Sequence, residues 1–191
     1  MVLRLPRAAE REYLAIYGIV AVYVAALPSG NAQVGITRDP LHSLLALRRE
    51  FSGTHITCAY WVKDRDEARL IARQVNHDLL SIEATPSAAK RCVESAAARM
   101  NIPLTEHDTV LLRARSAVAY IEQKIDEAQA NGELSWFNRE YRAWRIEAKQ
   151  HGRSMSYAQA RARLRRQLYR DILSNPVQRG LFPPLPTLNL N

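Results

Sequence analysis

The stretch IVAVYVAALPSGNAQVGITRDP, residues 19–40, decides the fold of this chain. Its first nine residues, 19–27, are apolar and include several β-branched side chains, which is typical of a buried strand. Residues 28–31 (PSGN) have turn composition, and residues 33–37 (QVGIT) have the composition of a second short strand. We therefore predict a β-hairpin here, closed by a loop of about four or five residues.

The residues after the hairpin extend this unit. Asp39-Pro40 is a typical helix start, with the aspartate as cap and the proline at the first helical position. Leucines at helical spacing follow up to residue 47, and residues 55–62 (HITCAYWV) form a third candidate strand before another amphipathic segment. The first part of the chain therefore predicts a small three-stranded mixed sheet with helices.

From residue 85 onward the pattern changes to that of helices alone. Apolar residues recur at helical spacing, and breaks at Ile102-Pro103, Asn131-Gly132 and residues 151–154 separate four helices. The last residues contain several prolines and are expected to be extended. The predicted fold class is α+β: an α/β domain at 12–84, an all-helical Arg-rich domain at 85–174 and a proline-bearing tail at 175–191.

The positive charge of the chain is concentrated in one block. The net charge is +8, and residues 139–170 contain ten Lys or Arg residues against only Glu140 and Glu147. The rest of the chain is close to neutral. A block of this kind indicates an anionic partner more strongly than the same charge spread over the surface.

The ten basic residues of this block are predicted to bind DNA. Nine of them are arginine, whose planar guanidinium suits phosphate oxygens and guanine edges. They are Arg139, Arg142, Arg145, Lys149, Arg153, Arg161, Arg163, Arg165, Arg166 and Arg170. The first four share one face of a helix, and two basic helices joined by a glycine-bearing turn suggest a helix-turn-helix-like unit.

A row of aromatic residues lies beside the first basic face. Phe137, Tyr141 and Trp144 fall within a narrow arc of the same helix. We interpret this seam as core. The alternatives are base stacking by Trp136 or Trp144 and an interface of a homodimer.

Residues 17–82 resemble the GIY-YIG nuclease superfamily, in the short versions found in phage and bacterial proteins. The residues that carry the likeness are the first strand around Tyr23, then Val34-Gly35-Ile36-Thr37, and then Asp39-Pro40 at the start of a helix. The order of strands and helices also agrees. The resemblance implies a metal-dependent phosphodiesterase, in which tyrosines position water, a helix arginine stabilises the phosphate and a glutamate binds the metal ion.

Most of the family's functional positions are replaced in this chain. Tyr23 matches the tyrosine of the first motif, but the second tyrosine position is Gln33. The arginine position falls on Ser43, and the glutamate position falls on Ala72. We therefore predict no catalytic residues, no metal site and no cofactor.

A relocated active site is the alternative. Arg48 and Glu67 lie on the two helices in question and would have to replace the missing arginine and glutamate. Glu67 is five residues from Ala72, about 140° around a helix, and suits the first turn of its helix as an acidic residue. Magnesium or manganese would be required only if this alternative held.

Other sites receive no support from the sequence. The five histidines and two cysteines have no zinc-site spacing, and there is no GxGxxG, Walker or GxSxG motif. No apolar run approaches the roughly 20 residues of a membrane span, so no membrane association is expected. The expected location is the cytoplasm, in association with the nucleoid.

The preferred function is a non-catalytic DNA-binding protein, regulatory or architectural, with duplex DNA favoured over RNA. Two alternatives stay open. One is a metal-dependent DNA endonuclease with the relocated site. The other is an interaction module whose arginine face binds an acidic protein.

Overall fold

The computed structural model describes residues 3–132 and 135–174. The helices of this part are α1 (Ala8–Tyr17), α2 (Pro40–Glu50), α3 (Arg65–Leu79), α4 (Pro86–Arg99), α5 (His107–Ala130), α6 (Ser135–Gln150) and α7 (Tyr157–Ser174). The strands are β1 (Val20–Ala26), β2 (Ala32–Thr37), β3 (His55–Val62) and β4 (Thr105–Glu106). The α+β class is confirmed, whereas the predicted tail at 175–191 lies outside the described residues.

The sheet has four strands in the order β2-β1-β3-β4, and every pair is antiparallel. The expectation of three strands in a mixed sheet is wrong on both points. The strands β2 and β3, which α2 connects, do run in the same direction, but β1 lies between them, so no parallel pair forms. The strand β4 is only two residues long and covers β3 at Tyr60 and Trp61 alone, too short to leave an alternating pattern.

The two faces of the sheet are covered by different helices. Alternate residues of a strand point to opposite faces. Val20, Val22 and Val24 pack in one core with α3 and α4. The opposite face carries Tyr23, whose hydroxyl lies close to the side chain of Ser43 on α2. The helix α2 therefore lies on the other side of the sheet from α3.

The predicted helix start at residue 39 is confirmed. The Asp39 side chain accepts hydrogen bonds from the backbone N–H groups of Leu41 and His42, and Pro40 occupies the first turn. The carboxylate of Asp39 also pairs with Arg11 of α1 at 3.0 Å. The helix α1 was not anticipated from the sequence.

The chain divides into two compact units at Ala114/Arg115, within α5. The sequence-based division at 84/85 falls instead in the loop before α4. The reason is that α4 packs on the sheet, with Ala89, Val93 and Ala96 fully buried in the same core as the β1 valines. The first unit thus contains the sheet and α1 to α4, and the second contains most of α5 together with α6 and α7.

The N-terminal segment forms a hydrogen bond with the edge of β3 that faces away from β1. The backbone N–H of Leu3 donates to the carbonyl of Ile56 at 3.1 Å, and β4 begins its pairing at Tyr60. Between these points lie residues 57–59 of β3. No helix within 3–132 or 135–174 is both long and apolar enough to span a bilayer.

Candidate nucleic-acid interface

One face of α6 carries a row of exposed cations. All four of its members are solvent-exposed, and no ion pair involves any of them among the residues that the structure describes. We call this row the α6 strip: Arg139, Arg142, Arg145 and Lys149. Successive members are three or four residues apart, so they lie on one side of the helix. The sequence predicted this grouping, and the helix bounds of α6 place all four residues on it.

The aromatic seam next to the α6 strip is core. Phe137 is 3% exposed and Trp144 is 5% exposed, and their rings meet edge to face with centroids 6.0 Å apart. Tyr157 of α7 packs against Phe137 in the same way at 5.8 Å. The Phe137 and Trp144 rings hold α6 against α7 and are not available to a base or a second copy of the chain. The Trp136 side chain lies outside the described residues.

Two of the predicted DNA-binding arginines are instead neutralised within the second unit. Arg161 donates to Glu122 of α5 at 3.1 Å and to Asp126 at 2.5 Å. Arg165 also pairs with Glu122, and its side chain is only 13% exposed. The hydrogen bond to Asp126, followed by that to Glu122, raises the pKa of Arg161. Arg161 and Arg165 therefore join α7 to α5 and do not form part of an open cationic surface.

Arg163 is also engaged inside the unit. Its guanidinium carbon lies 4.5 Å from the centre of the Trp144 ring, a cation–π distance, and one nitrogen is 3.6 Å from Glu147. Of the five arginines of α7 that were predicted to bind DNA, Arg161, Arg163 and Arg165 are thus engaged inside the unit. Arg153, in the turn after α6, and Arg166 are exposed, whereas the Arg170 side chain lies outside the described residues.

The sequence contained a signal for these ion pairs that was missed. Glu122 and Asp126 are four residues apart on α5, and Arg161 and Arg165 are four residues apart on α7. Two helices that each present such a pair can bring opposite charges into register when they pack side by side. Counting net charge along the chain concealed this match, because the acids lie outside the basic block.

The positions that match the nuclease motifs do not all lie on one face of the sheet. Tyr23 is 7% exposed and its hydroxyl lies close to the Ser43 side chain, so two of the three matched positions on this face of the sheet are neighbours. Burial raises the pKa of Tyr23, which disfavours the phenolate. Ala72 lies on α3, which packs against the opposite face. Gln33 on β2 pairs with Ala25, so it points to the same face of the sheet as Tyr23, but its side chain is exposed.

The two residues of the relocated site have structural roles on different helices. Glu67 accepts a hydrogen bond from the backbone N–H of Lys63 at 3.1 Å, just before α3. The Nε of Arg48 donates to the carbonyl of Thr54 at 2.8 Å, after α2. Because α2 and α3 lie on opposite faces of the sheet, this geometry does not bring Arg48 and Glu67 to one site. Among the described residues there is no group of three or more His, Cys, Asp or Glu side chains suited to a metal ion.

Gly35 of the Val-Gly-Ile-Thr segment has a clear packing role. It pairs across the sheet with Tyr23, and a Cβ at position 35 would lie 2.5 Å from the Tyr23 hydroxyl oxygen. We expect Gly35→Ala to lower the free energy of unfolding by roughly 1–3 kcal/mol, the usual cost of overpacking, as measured by urea denaturation.

The control is a double-mutant cycle with Tyr23→Ala, which removes the ring. In that background Gly35→Ala is expected to cost much less, because the clash is gone. Equal costs in both backgrounds would show that the ring is not what requires glycine.

In comparisons with known proteins, no family model, no curated protein and no solved structure matches the chain.

Proposed function

We propose that this protein binds duplex DNA without cutting it and that the α6 strip is its principal contact with the phosphate backbone. The observation that carries the proposal is the exposure of four cations on one helix face, three of them arginine, with no ion pair among the described residues. A row of guanidiniums on a helix suits a line of phosphates, since each can bind two phosphate oxygens. Arg153 and Arg166 would add to this surface.

The first unit supports the non-catalytic part of the proposal. A phosphodiesterase of the kind that the motifs resemble needs its tyrosines, arginine and metal-binding carboxylate around one phosphate. Here Tyr23 and Ser43 lie on one side of the sheet, whereas Ala72 and Glu67 belong to α3 on the other. On this proposal the protein acts at the nucleoid in a regulatory or architectural role, as a monomer or a homodimer.

The experiment is a binding titration of the full chain against labelled duplex DNA, single-stranded DNA and RNA at several salt concentrations. We expect the duplex to bind most tightly, with log affinity falling linearly against log salt and a slope of at least about −3, since each phosphate contact contributes about 0.9. Binding of an acidic polypeptide but of no nucleic acid would overturn the proposal and favour the protein-interaction alternative.

A cleavage assay tests the alternative that the protein is a metal-dependent endonuclease. The full chain is incubated with plasmid and branched DNA in magnesium or manganese, and both substrates are expected to stay intact. Cleavage that Glu67→Ala abolishes would overturn the non-catalytic assignment.

A further inference from the structure

Three cations that the sequence did not single out meet at one end of the sheet. Arg38 follows β2 directly, Lys63 follows β3 directly, and Arg65 is the first residue of α3. The start of β1 lies between the two strand ends, since Ala21 pairs with Thr37 and Val20 pairs with Val62. The antiparallel register thus brings Arg38, Lys63 and Arg65 to the same edge of the first unit.

The carboxylates close to this edge in sequence are already engaged. Asp39 caps α2 and pairs with Arg11, and Asp64 accepts from two backbone N–H groups at the start of α3. Glu67 accepts the backbone N–H of Lys63, and Asp66 pairs with Arg69 at 3.4 Å. Within residues 3–132 and 135–174, no ion pair neutralises any of the three cations at the sheet end.

Two of the cations line a cleft. The cleft has a volume of about 250 Å³, with Val20 and Ile36 as its apolar part and Thr37, Arg38 and Arg65 as its polar part. The Thr37 hydroxyl accepts the Asp39 N–H at 2.9 Å, which leaves the hydroxyl hydrogen free to donate. Two guanidiniums and a hydroxyl are the donors with which proteins commonly bind a phosphate group.

The position of Arg65 is unfavourable for the fold itself. It occupies the first turn of α3, where a positive charge opposes the helix dipole and acidic residues are preferred. Its side chain is exposed and has no ion pair among the described residues to offset this. The helix gains nothing from this charge, which leaves Arg65 available to a bound anion.

We propose that the cleft between Arg38 and Arg65 binds a phosphate group. Resting on the proposed function, we further assign this group to the backbone of the bound nucleic acid, so that the first unit contributes its own contact to binding. The same chemistry would accept a free phosphate, and the experiment below separates the two sources.

The test uses the full chain with Arg38→Gln and Arg65→Gln combined, and Arg73→Gln with Arg91→Gln as the matched control. The control residues are exposed arginines on α3 and α4, outside the cleft, and have no ion pair among the described residues. In the first arm, thermal unfolding is followed in sodium phosphate and in sodium chloride of equal ionic strength. In the second arm, duplex affinity is measured against salt by fluorescence anisotropy.

We expect phosphate to raise the Tm of the wild type and of the control but not of the cleft variant. We also expect the salt slope for DNA to fall by about 0.9 in the cleft variant, since one phosphate contact is lost, and to stay unchanged in the control. In chloride the Tm of Arg65→Gln alone should equal or exceed that of the wild type, since the opposing charge is gone. A merely structural arginine would lower it.

The other outcomes are distinguishable. Loss of the phosphate effect with an unchanged DNA slope would overturn the backbone assignment and leave a site for free phosphate. If the cleft variant behaved like the wild type in both arms, the proposal that the cleft binds phosphate would be overturned. The proposed function would stand if substitutions in the α6 strip still weakened DNA binding. If the wild type bound no DNA, the proposed function would be overturned. The thermal-unfolding arm would still show whether the cleft binds phosphate.

Discussion

Reversing three charges of the α6 strip, Arg142→Glu, Arg145→Glu and Lys149→Glu, is expected to lower duplex affinity at least about 100-fold near physiological salt. The slope of log affinity against log salt should become shallower by about 2.7, because each of the three lost phosphate contacts contributes about 0.9 to it. The three side chains are exposed and lie on a different face of α6 from the buried rings of the seam. The helix is therefore expected to keep its packing. The measurement is fluorescence anisotropy of a labelled duplex, with circular dichroism to confirm helix content.

The matched control reverses three exposed arginines of the first unit, Arg49→Glu, Arg73→Glu and Arg91→Glu. This variant has the same net charge as the strip variant, and its substitutions also lie on helix surfaces. We expect a change in affinity of less than about fivefold, since long-range attraction between exposed charges is screened beyond about 10 Å. Equal losses in the two variants would show that overall charge, and not the α6 strip, determines binding.

Glu122→Ala is expected to have the largest effect on stability, lowering the free energy of unfolding of the second unit by about 2–4 kcal/mol. Glu122 pairs with both Arg161 and Arg165, and all three side chains are less than a third exposed. Removing Glu122 takes away one of the two carboxylates that pair with Arg161, together with the carboxylate that pairs with Arg165, in a poorly solvated place. Far-ultraviolet circular dichroism during urea titration of the full chain measures the loss.

Glu147→Ala provides the comparison. Glu147 is 58% exposed and lies 3.6 Å from Arg163, which also stacks on Trp144. An exposed ion pair of this kind contributes about 0–1 kcal/mol, so we expect only a small change. If the two variants lost the same stability, the ion pairs between Glu122 and the α7 arginines would contribute no more than a surface contact.

These ion pairs also show how far the sequence could predict the interface. Helical spacing correctly grouped the α6 strip and separated it from Phe137 and Trp144, because both properties depend on one helix alone. It could not say which face of α7 meets α5. Arg161 and Arg165 therefore counted as open cations, although Glu122 faces them in the folded unit.

For the fold, too, the features that depend on neighbouring residues could be predicted from the sequence, and those that depend on distant contacts could not. Asp39-Pro40 and the β1–β2 hairpin follow from turn and cap chemistry within a few residues, and both are present. The strand β4 and the attachment of α4 to the sheet depend on contacts between segments far apart in sequence, such as Tyr60 with Glu106. The cleft at Arg38 and Arg65 depends likewise on the register that brings two strand ends together.

The short β4 strand has a practical consequence for the solution behaviour of the protein. Because β4 pairs only with Tyr60 and Trp61, the N-terminal segment at Leu3 supplies the next hydrogen bond along the outer edge of β3, at Ile56. An exposed strand edge is a template for pairing with other molecules. Removal of the first few residues, by proteolysis or in a shortened version of the chain, would uncover that edge and promote self-association through it.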